Sequence, residues 1–306
     1  MNLEVWIPAG TPEQRRRGLD GNANLHDYPP SGPWPERLGS ADMLVAGHDL
    51  RATLEAIPRF EGLKVVQTLS AGVDAIVDHL PEGVTLCDAS GVHDVGVAEW
   101  VLMAILASNR RLPELMAAQR AATWRRDEAR GDELQGSTAL ILGYGSIGRA
   151  VEDRLRPFGV DVVRVARRER EGVHPLADLP ALLPSADIIV ILVPLTPATR
   201  ELVGIEFVSL LKPGALLVNA SRGAVVNTPA LMAALADGKI RAALDVTDPE
   251  PLPEGHPLWS MANVLITPHV AGDVNGEEDR AWALVAEQVA RLSRGEPLRN
   301  VVVDGY

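Results

Sequence analysis

Cysteine is almost missing from this chain: Cys87 stands alone among 306 residues. No intramolecular disulfide can form, and no cysteine cluster can hold zinc or an iron–sulfur centre. A reducing compartment is therefore expected, with the cytoplasm as the default. Lysine is scarce as well, being confined to Lys64, Lys212 and Lys239, and the formal net charge is -12. That sign argues against a nucleic-acid backbone or an anionic membrane as the main partner, because both demand a positive field. A small-molecule partner is expected instead. Long apolar runs are also lacking: Ile188 to Pro194 and Trp100 to Ala107 fall well short of the roughly 20 residues needed to span a bilayer. The amino end, Met1 to Pro8, carries Glu4 and lacks the basic, apolar and small-residue order of a secretory leader. Repeats, low-complexity tracts and charge blocks are likewise absent.

What is present is a large apolar fraction, 46%, more readily packed as two domains than as one. Short β-rich runs at Leu3–Ile7, Met43–Ala46, Lys64–Thr68 and Val84–Cys87 alternate with polar or helical stretches, the rhythm of a small parallel α/β unit. A long helical pattern from Val97 through Arg120 reads as a crossover. Six strands follow, at Ala139–Leu142, Asp161–Val165, Ile188–Val193, Ala215–Asn219, Ala242–Asp245 and Val264–Ile266, enough for a doubly wound sheet. A closing amphipathic helix from Glu277 to Arg294 and an extended tail, Arg299–Val303, are expected to return to the first domain. The fold class is thus α/β, with Rossmann-like or flavodoxin-like domains built on doubly wound parallel sheets.

The strongest local signal begins at Thr138, where an apolar strand runs into Gly143-Tyr144-Gly145-Ser146-Ile147-Gly148 and opens a helix. Gly143 allows a tight turn, Gly145 lets the backbone approach a pyrophosphate, and Gly148 lets helix and strand pack closely. This is the pattern of a dinucleotide site.

A cofactor fold does not name a reaction, so the polar residues at the carboxyl ends of the strands carry that argument. Arg222 and Gly223 follow one strand, Asp245 to Pro251 the next, and Thr267-Pro268-His269 the last. Arg222 can grip a substrate carboxylate with its planar fork and polarise a neighbouring carbonyl, while His269 supplies a proton as hydride arrives at carbon. Glu250 is expected to hold the imidazole and favour its protonated form, with Asp248 as the rival carboxylate. His93 and Trp100 read as packing or interdomain residues. Trp124 reads either as a core anchor or as a projection into a neighbouring subunit.

These motifs, in this order, resemble the D-isomer-specific 2-hydroxyacid dehydrogenase family over essentially the whole chain. Leu69 to Asp74 resembles the loop whose backbone amides bind the substrate carboxylate, which implicates Ser70, Ala71, Gly72 and Val73 beside Arg222. Val97-Ala98-Glu99 resembles the start of the interdomain helix, and Asp187 to Thr199 the strand and loop beside the cofactor. The resemblance implies Arg222, Glu250 and His269 as the catalytic set. It adds Val193, Pro194, Thr199, Ala220, Ser221, Asp245 and Gly272 to the glycine loop as cofactor neighbours. It also implies a substrate domain of residues 1–96 completed by 274–306, a dinucleotide domain of 97–273, a cleft between them, and a homodimer. No metal is called for.

After the strand Asp161–Val165, an NAD site would carry Asp or Glu to bind the ribose hydroxyls; this chain has Ala166 followed by Arg167 and Arg168. Two guanidinium groups suit a 2'-phosphate, so NADPH is expected in preference to NADH, with Glu169 and Glu171 as local competitors. NAD remains possible. Among relatives, the strand-end sequences most resemble glyoxylate and hydroxypyruvate reductases; a regulated phosphoglycerate dehydrogenase is less expected, since the resemblance would then imply a C-terminal extension. A formate dehydrogenase would show glutamine at Glu250. The reading from a different class is a dinucleotide-sensing scaffold of the corepressor type with little turnover.

Overall fold

A computed structural model describes residues 2–19, 21–29, 36–47, 49–127 and 130–303. The chain forms two compact units, one of Met1–His93 with Val274–Tyr306 and one of Asp94–Asp273.

The first unit is built on a five-stranded, all-parallel sheet. Its spatial order is Ala23–Tyr28, Leu3–Pro8, Met43–Ala46, Val65–Thr68 and Thr85–Cys87. In chain order this is 2-1-3-4-5, the flavodoxin-like winding. The strand Ala23–Tyr28 was not expected, since Asn24, His26 and Asp27 give it little intrinsic β preference. It forms by residue-for-residue pairing with Leu3–Pro8. The buried Tyr28, whose hydroxyl donates to the Val45 carbonyl at 2.9 Å, anchors its end. The closing helix, Glu277–Ser293, lays Ala281, Trp282, Val285 and Val289 on Val5, Ile7, Met43 and Val65. Gln288, fully buried, donates to Gln67 Oε1 and to the Arg299 carbonyl, both at 2.8 Å. The tail then meets Cys87 in an antiparallel bridge at Val301. Burial pushes the Cys87 thiol up to about 11, which keeps it protonated and unreactive.

The second unit carries a seven-stranded parallel sheet. Its order is His174–Pro175, Asp161–Ala166, Thr138–Leu142, Ile188–Ile191, Leu216–Asn219, Arg241–Leu244 and Val264–Ile266. Chain order 3-2-1-4-5-6-7 is the Rossmann winding with one added strand, and its short edge strand raises the expected six to seven. Alternate residues of the central strands enter two different cores. Leu140, Leu142, Ile189 and Leu217 face one; Ala139, Ile141, Ile188 and Val190 face the other. Burial on both faces explains why these strands read as unbroken apolar runs.

The expected helix from Val97 to Arg120 is two helices, Asp94–Asn109 and Leu112–Arg120. The break has a local cause. Pro113 has no N–H to give the Asn109 carbonyl four residues earlier, and Arg111 turns the chain with a φ of 54° before the second helix begins at Leu112. Trp124 is 92% exposed, which rules out the core-anchor reading, whereas Trp100 is buried. Among the described residues, no helix is long and apolar enough to cross a membrane.

Candidate functional site

In the second unit, strand order reverses beside Thr138–Leu142 and Ile188–Ile191, and the glycine loop leaves the sheet at this switch point. Gly143 has a φ of 104°, and a side-chain carbon there would lie 2.5 Å from the Leu192 carbonyl carbon. The two strand ends approach so closely that only glycine fits. At Gly145 an added carbon would meet no protein atom within 4 Å. Nothing inside the chain demands glycine at that point, as fits a backbone that lies against a ligand. The helix Ser146–Leu155 starts there with no side chain capping its amino end, so its first N–H groups suit a pyrophosphate.

Tyr144 is held from behind. Its hydroxyl donates to Glu152, its carbonyl accepts from Arg170, and the Arg164 guanidinium lies 5.5 Å from its ring centre. Glu152, 3% exposed, also accepts from Arg164 Nε at 2.7 Å and Arg156 Nε at 2.8 Å. The Arg164 fork, with help from Tyr144 and Arg156, pulls the Glu152 carboxyl down to about 2. This brace joins the glycine loop to the strand Asp161–Ala166, at whose end Ala166 is buried and Arg167 and Arg168 are exposed. Neither Glu152 nor Arg164 was singled out in the sequence. Glu152 is one of four charged residues on its helix, and nothing in the sequence pairs it with Arg164, twelve positions away on the next strand.

After Ile188–Ile191, Val193 is buried and Pro194 begins a turn closed by Thr199. The Thr199 hydroxyl donates to the Pro194 carbonyl at 2.6 Å and accepts from Thr196 N–H at 2.8 Å. After Leu216–Asn219, the Asn219 amide shapes the next turn: its oxygen accepts from Ser221 N–H at 3.1 Å, and its Nδ2 donates to the Arg222 carbonyl at 3.0 Å. Ala220, Ser221 and Arg222 therefore leave the sheet in one defined path. Gly223 permits it, because a side-chain carbon there would lie 1.9 Å from the Thr247 carbonyl oxygen.

The last two strand ends are tied together by Asp245, which is 3% exposed. Its carboxylate accepts from Thr267 Oγ1 at 2.6 Å, Val270 N–H at 2.9 Å and Ala271 N–H at 2.8 Å. Its backbone carbonyl accepts the His269 N–H at 2.7 Å. These contacts brace the ends of the two strands against each other. Within that brace His269 takes a φ of 56°, a left-handed conformation that costs a non-glycine residue free energy and persists only where surroundings enforce it. Gly272 completes the turn. The His269 Nδ1 lies 2.6 Å from Glu250 Oε1, and both side chains are partly open to solvent. Asp248, the rival carboxylate, makes no such contact; its backbone carbonyl accepts from Thr228.

Arg222, Glu250 and His269 thus stand on loops after three adjacent strands, the latter two in contact. With Nδ1 beside Glu250, Nε2 is the ring nitrogen on the side away from that carboxylate. Ser70 to Val73 belong to the first unit, just past the strand Val65–Thr68. A separate cavity of about 240 Å³, lined by Arg111, Arg130 and Arg241, lies at the amino ends of the second sheet's strands and contains none of these residues. Among the described residues no group of three or more His, Cys, Asp or Glu could hold a metal.

The family model described as D-isomer specific 2-hydroxyacid dehydrogenase, NAD binding domain, matches residues 102–271. A D-3-phosphoglycerate dehydrogenase of Methanocaldococcus jannaschii is 37% identical over 278 residues, covering 87% of this chain and 52% of that protein. The chain thus spans about half the length of that relative. The human glyoxylate reductase/hydroxypyruvate reductase is 36% identical over 248 residues, covering 77% of this chain and 76% of the relative. Among solved structures, an NADPH-dependent glyoxylate/hydroxypyruvate reductase from Sinorhizobium meliloti, in complex with NADP and sulfate, superposes with a TM-score of 0.85. Its identity is 28%, and all of both chains is covered.

The Glu152 brace makes a prediction about acid stability. A carboxyl held near 2 against an ordinary 4.5 contributes stability above the ordinary value and loses it as pH falls toward 2. The difference in thermal midpoint between wild type and Glu152→Gln is expected to be largest near pH 6 and to shrink steadily from pH 4.5 to 2. Differential scanning fluorimetry across that range checks it, and a gap independent of pH would contradict it.

Proposed function

Because the chain belongs to the D-isomer specific 2-hydroxyacid dehydrogenases, we propose that it reduces a small 2-oxo acid of the glyoxylate or hydroxypyruvate type to the D-2-hydroxy acid. The observation that carries this reading is the His269–Glu250 pair at 2.6 Å, with Arg222 on the neighbouring strand end. A bound dihydronicotinamide supplies the hydride. Arg222 grips the substrate carboxylate and polarises the ketone oxygen, a task its planar fork suits better than a lysine would. His269 releases a proton from Nε2 to that oxygen as negative charge develops there. Glu250 keeps the ring oriented and stabilises its charged form before transfer. The second unit is then the dinucleotide domain, and the first is the substrate domain, whose Ser70–Val73 loop offers backbone N–H groups to the carboxylate.

NADPH is the proposed cofactor in preference to NADH. Ala166 brings no carboxylate to repel a 2'-phosphate, and Arg167 and Arg168 stand exposed at the same strand end. The Sinorhizobium meliloti structure, solved with NADP, supports the same choice. Glyoxylate and hydroxypyruvate are favoured over phosphoglycerate by the human reductase, which the chain matches over most of both lengths.

A homodimer is also proposed. The two helices after His93 leave Met103, Leu112, Leu115 and Met116 between 37% and 46% exposed, with Trp124 beyond them at 92%. Leu112, Leu115 and Met116 fall three and four residues apart, on one side of their helix, and exposed apolar surface of this kind marks a place for a partner.

Initial rates of NADPH and NADH oxidation with glyoxylate, hydroxypyruvate, pyruvate and phenylpyruvate test the reaction. Turnover is expected to favour NADPH and one of the first two acids. Arg222→Ala should lower kcat/KM by about 10³-fold, and Arg167→Ala should raise the KM for NADPH alone. Tight dinucleotide binding with no turnover across the panel would overturn the reading in favour of a scaffold. For the dimer, light scattering should give twice the chain mass for wild type and a single chain for Leu115→Glu/Met116→Glu. A monomeric wild type would refute it.

A further inference from the structure

The first unit contains a largely buried histidine–carboxylate pair that the reaction above does not use. His93 Nε2 lies 3.2 Å from the Leu69 carbonyl oxygen and 3.7 Å from Glu277 Oε1. Glu277 opens the closing helix and is only 7% exposed, and its Oε1 has no hydrogen-bond partner. One turn later on the same helix, Arg280 Nε donates to the Val92 carbonyl at 2.8 Å, fixing the backbone next to His93. Both groups facing His93 Nε2 are acceptors, and the tautomer that satisfies them places the proton on that nitrogen.

Leu69 is where this matters. A trans peptide points its C=O and N–H in opposite directions, so whatever holds the Leu69 carbonyl also aims the Ser70 N–H. The same logic runs along the loop. The Ser70 carbonyl accepts from Thr68 Oγ1 at 2.6 Å and from Ala89 N–H at 3.0 Å, and the Gly72 carbonyl accepts from Ser70 Oγ at 3.1 Å. Three carbonyls of residues 69–72 are therefore tied down. One of the ties, from Ser70, is made inside the segment itself, one comes from Thr68 at the end of the preceding strand, and one comes from Ala89, just past the strand Thr85–Cys87. The remaining tie, on Leu69, comes from His93, whose side chain is 16% exposed and lies beside a carboxylate that arrives from the far end of the chain. A hydrophobic residue would pack there without leaving a carboxylate unpartnered, so an apolar pair would serve stability alone at least as well.

We propose that His93, backed by Glu277, is a positioning residue that sets the Ser70–Val73 loop to receive the carboxylate of the substrate. The inference rests on the reading of that loop given under Proposed function. It places a determinant of substrate binding in the Ser90-Gly91-Val92-His93 turn and in the first turn of the closing helix, neither of which carries a group for hydride or proton transfer.

The test uses the full chain and two readouts: steady-state kinetics with glyoxylate, and calorimetric binding of oxamate, a non-reducible 2-oxo acid mimic, in the presence of NADP. His93→Leu is expected to raise both the KM for glyoxylate and the Kd for oxamate about tenfold, with kcat and NADPH affinity within a factor of three of wild type. His93→Gln, whose amide can still donate to the Leu69 carbonyl, should recover most of the loss. His93→Leu/Glu277→Leu removes both polar groups together, so it should fold even where the single variant does not, and it should show the same tenfold rise. An unchanged KM and Kd in the double variant, or a glutamine variant no better than leucine, would overturn the proposal. Wild type that binds oxamate without turning over any 2-oxo acid would fault the proposed reaction while leaving the binding comparison intact. Wild type that does neither would overturn both.

Discussion

One buried carboxylate holds the candidate site together. Asp245 reaches from the end of Arg241–Leu244 to the turn after Val264–Ile266 and gathers three donors from residues 267–271. Its own carbonyl takes a fourth, the N–H of His269. Charge-assisted bonds of this kind, made in a nearly dry setting, are among the stronger ones a protein forms. They are what maintains His269 at a φ of 56°, from which its Nδ1 meets Glu250. Released from that brace, the histidine backbone would relax to an ordinary conformation and the pair would part.

A similar arrangement recurs at three other places along the carboxyl ends of the second sheet. Asn219 defines the exit toward Arg222, Thr199 closes the turn that begins at Pro194, and Glu152 with Arg164 holds Tyr144 behind the glycine loop. Candidate functional side chains stand on turns, while a buried polar residue beneath each turn fixes its path. Rigid strands buried on both faces supply the common base. Precision of this kind favours a reaction in which small groups must be placed to within fractions of an ångström.

Much of this was legible in the sequence because it is local. An apolar run followed by Gly143-Tyr144-Gly145-Ser146-Ile147-Gly148 states strand, turn and helix in consecutive residues, and the strand-end positions of Arg222 and His269 follow from the same alternation. What was hidden depends on pairing across the chain. Ala23–Tyr28 is a strand because of its neighbour, not its composition. The choice between Glu250 and Asp248 as the carboxylate on His269 depends on how the loop folds back. Asp245 read as a cofactor neighbour because its motif names a position, whereas its three donors come from residues more than twenty positions away. Glu152 and Arg164 were silent for the same reason. Arg111, which splits one expected helix into two, was foreshadowed only by Pro113.

The most direct test of this account is kcat for Asp245→Asn, measured alongside its thermal midpoint. Asparagine keeps the size but turns an N–H₂ toward backbone N–H groups, so the brace cannot form intact. A folded variant whose kcat has fallen by at least about tenfold, with the His269 and Glu250 side chains unaltered, is the predicted result. A folded variant with wild-type kcat would show that the position of His269 does not depend on Asp245, and would contradict the account at its centre.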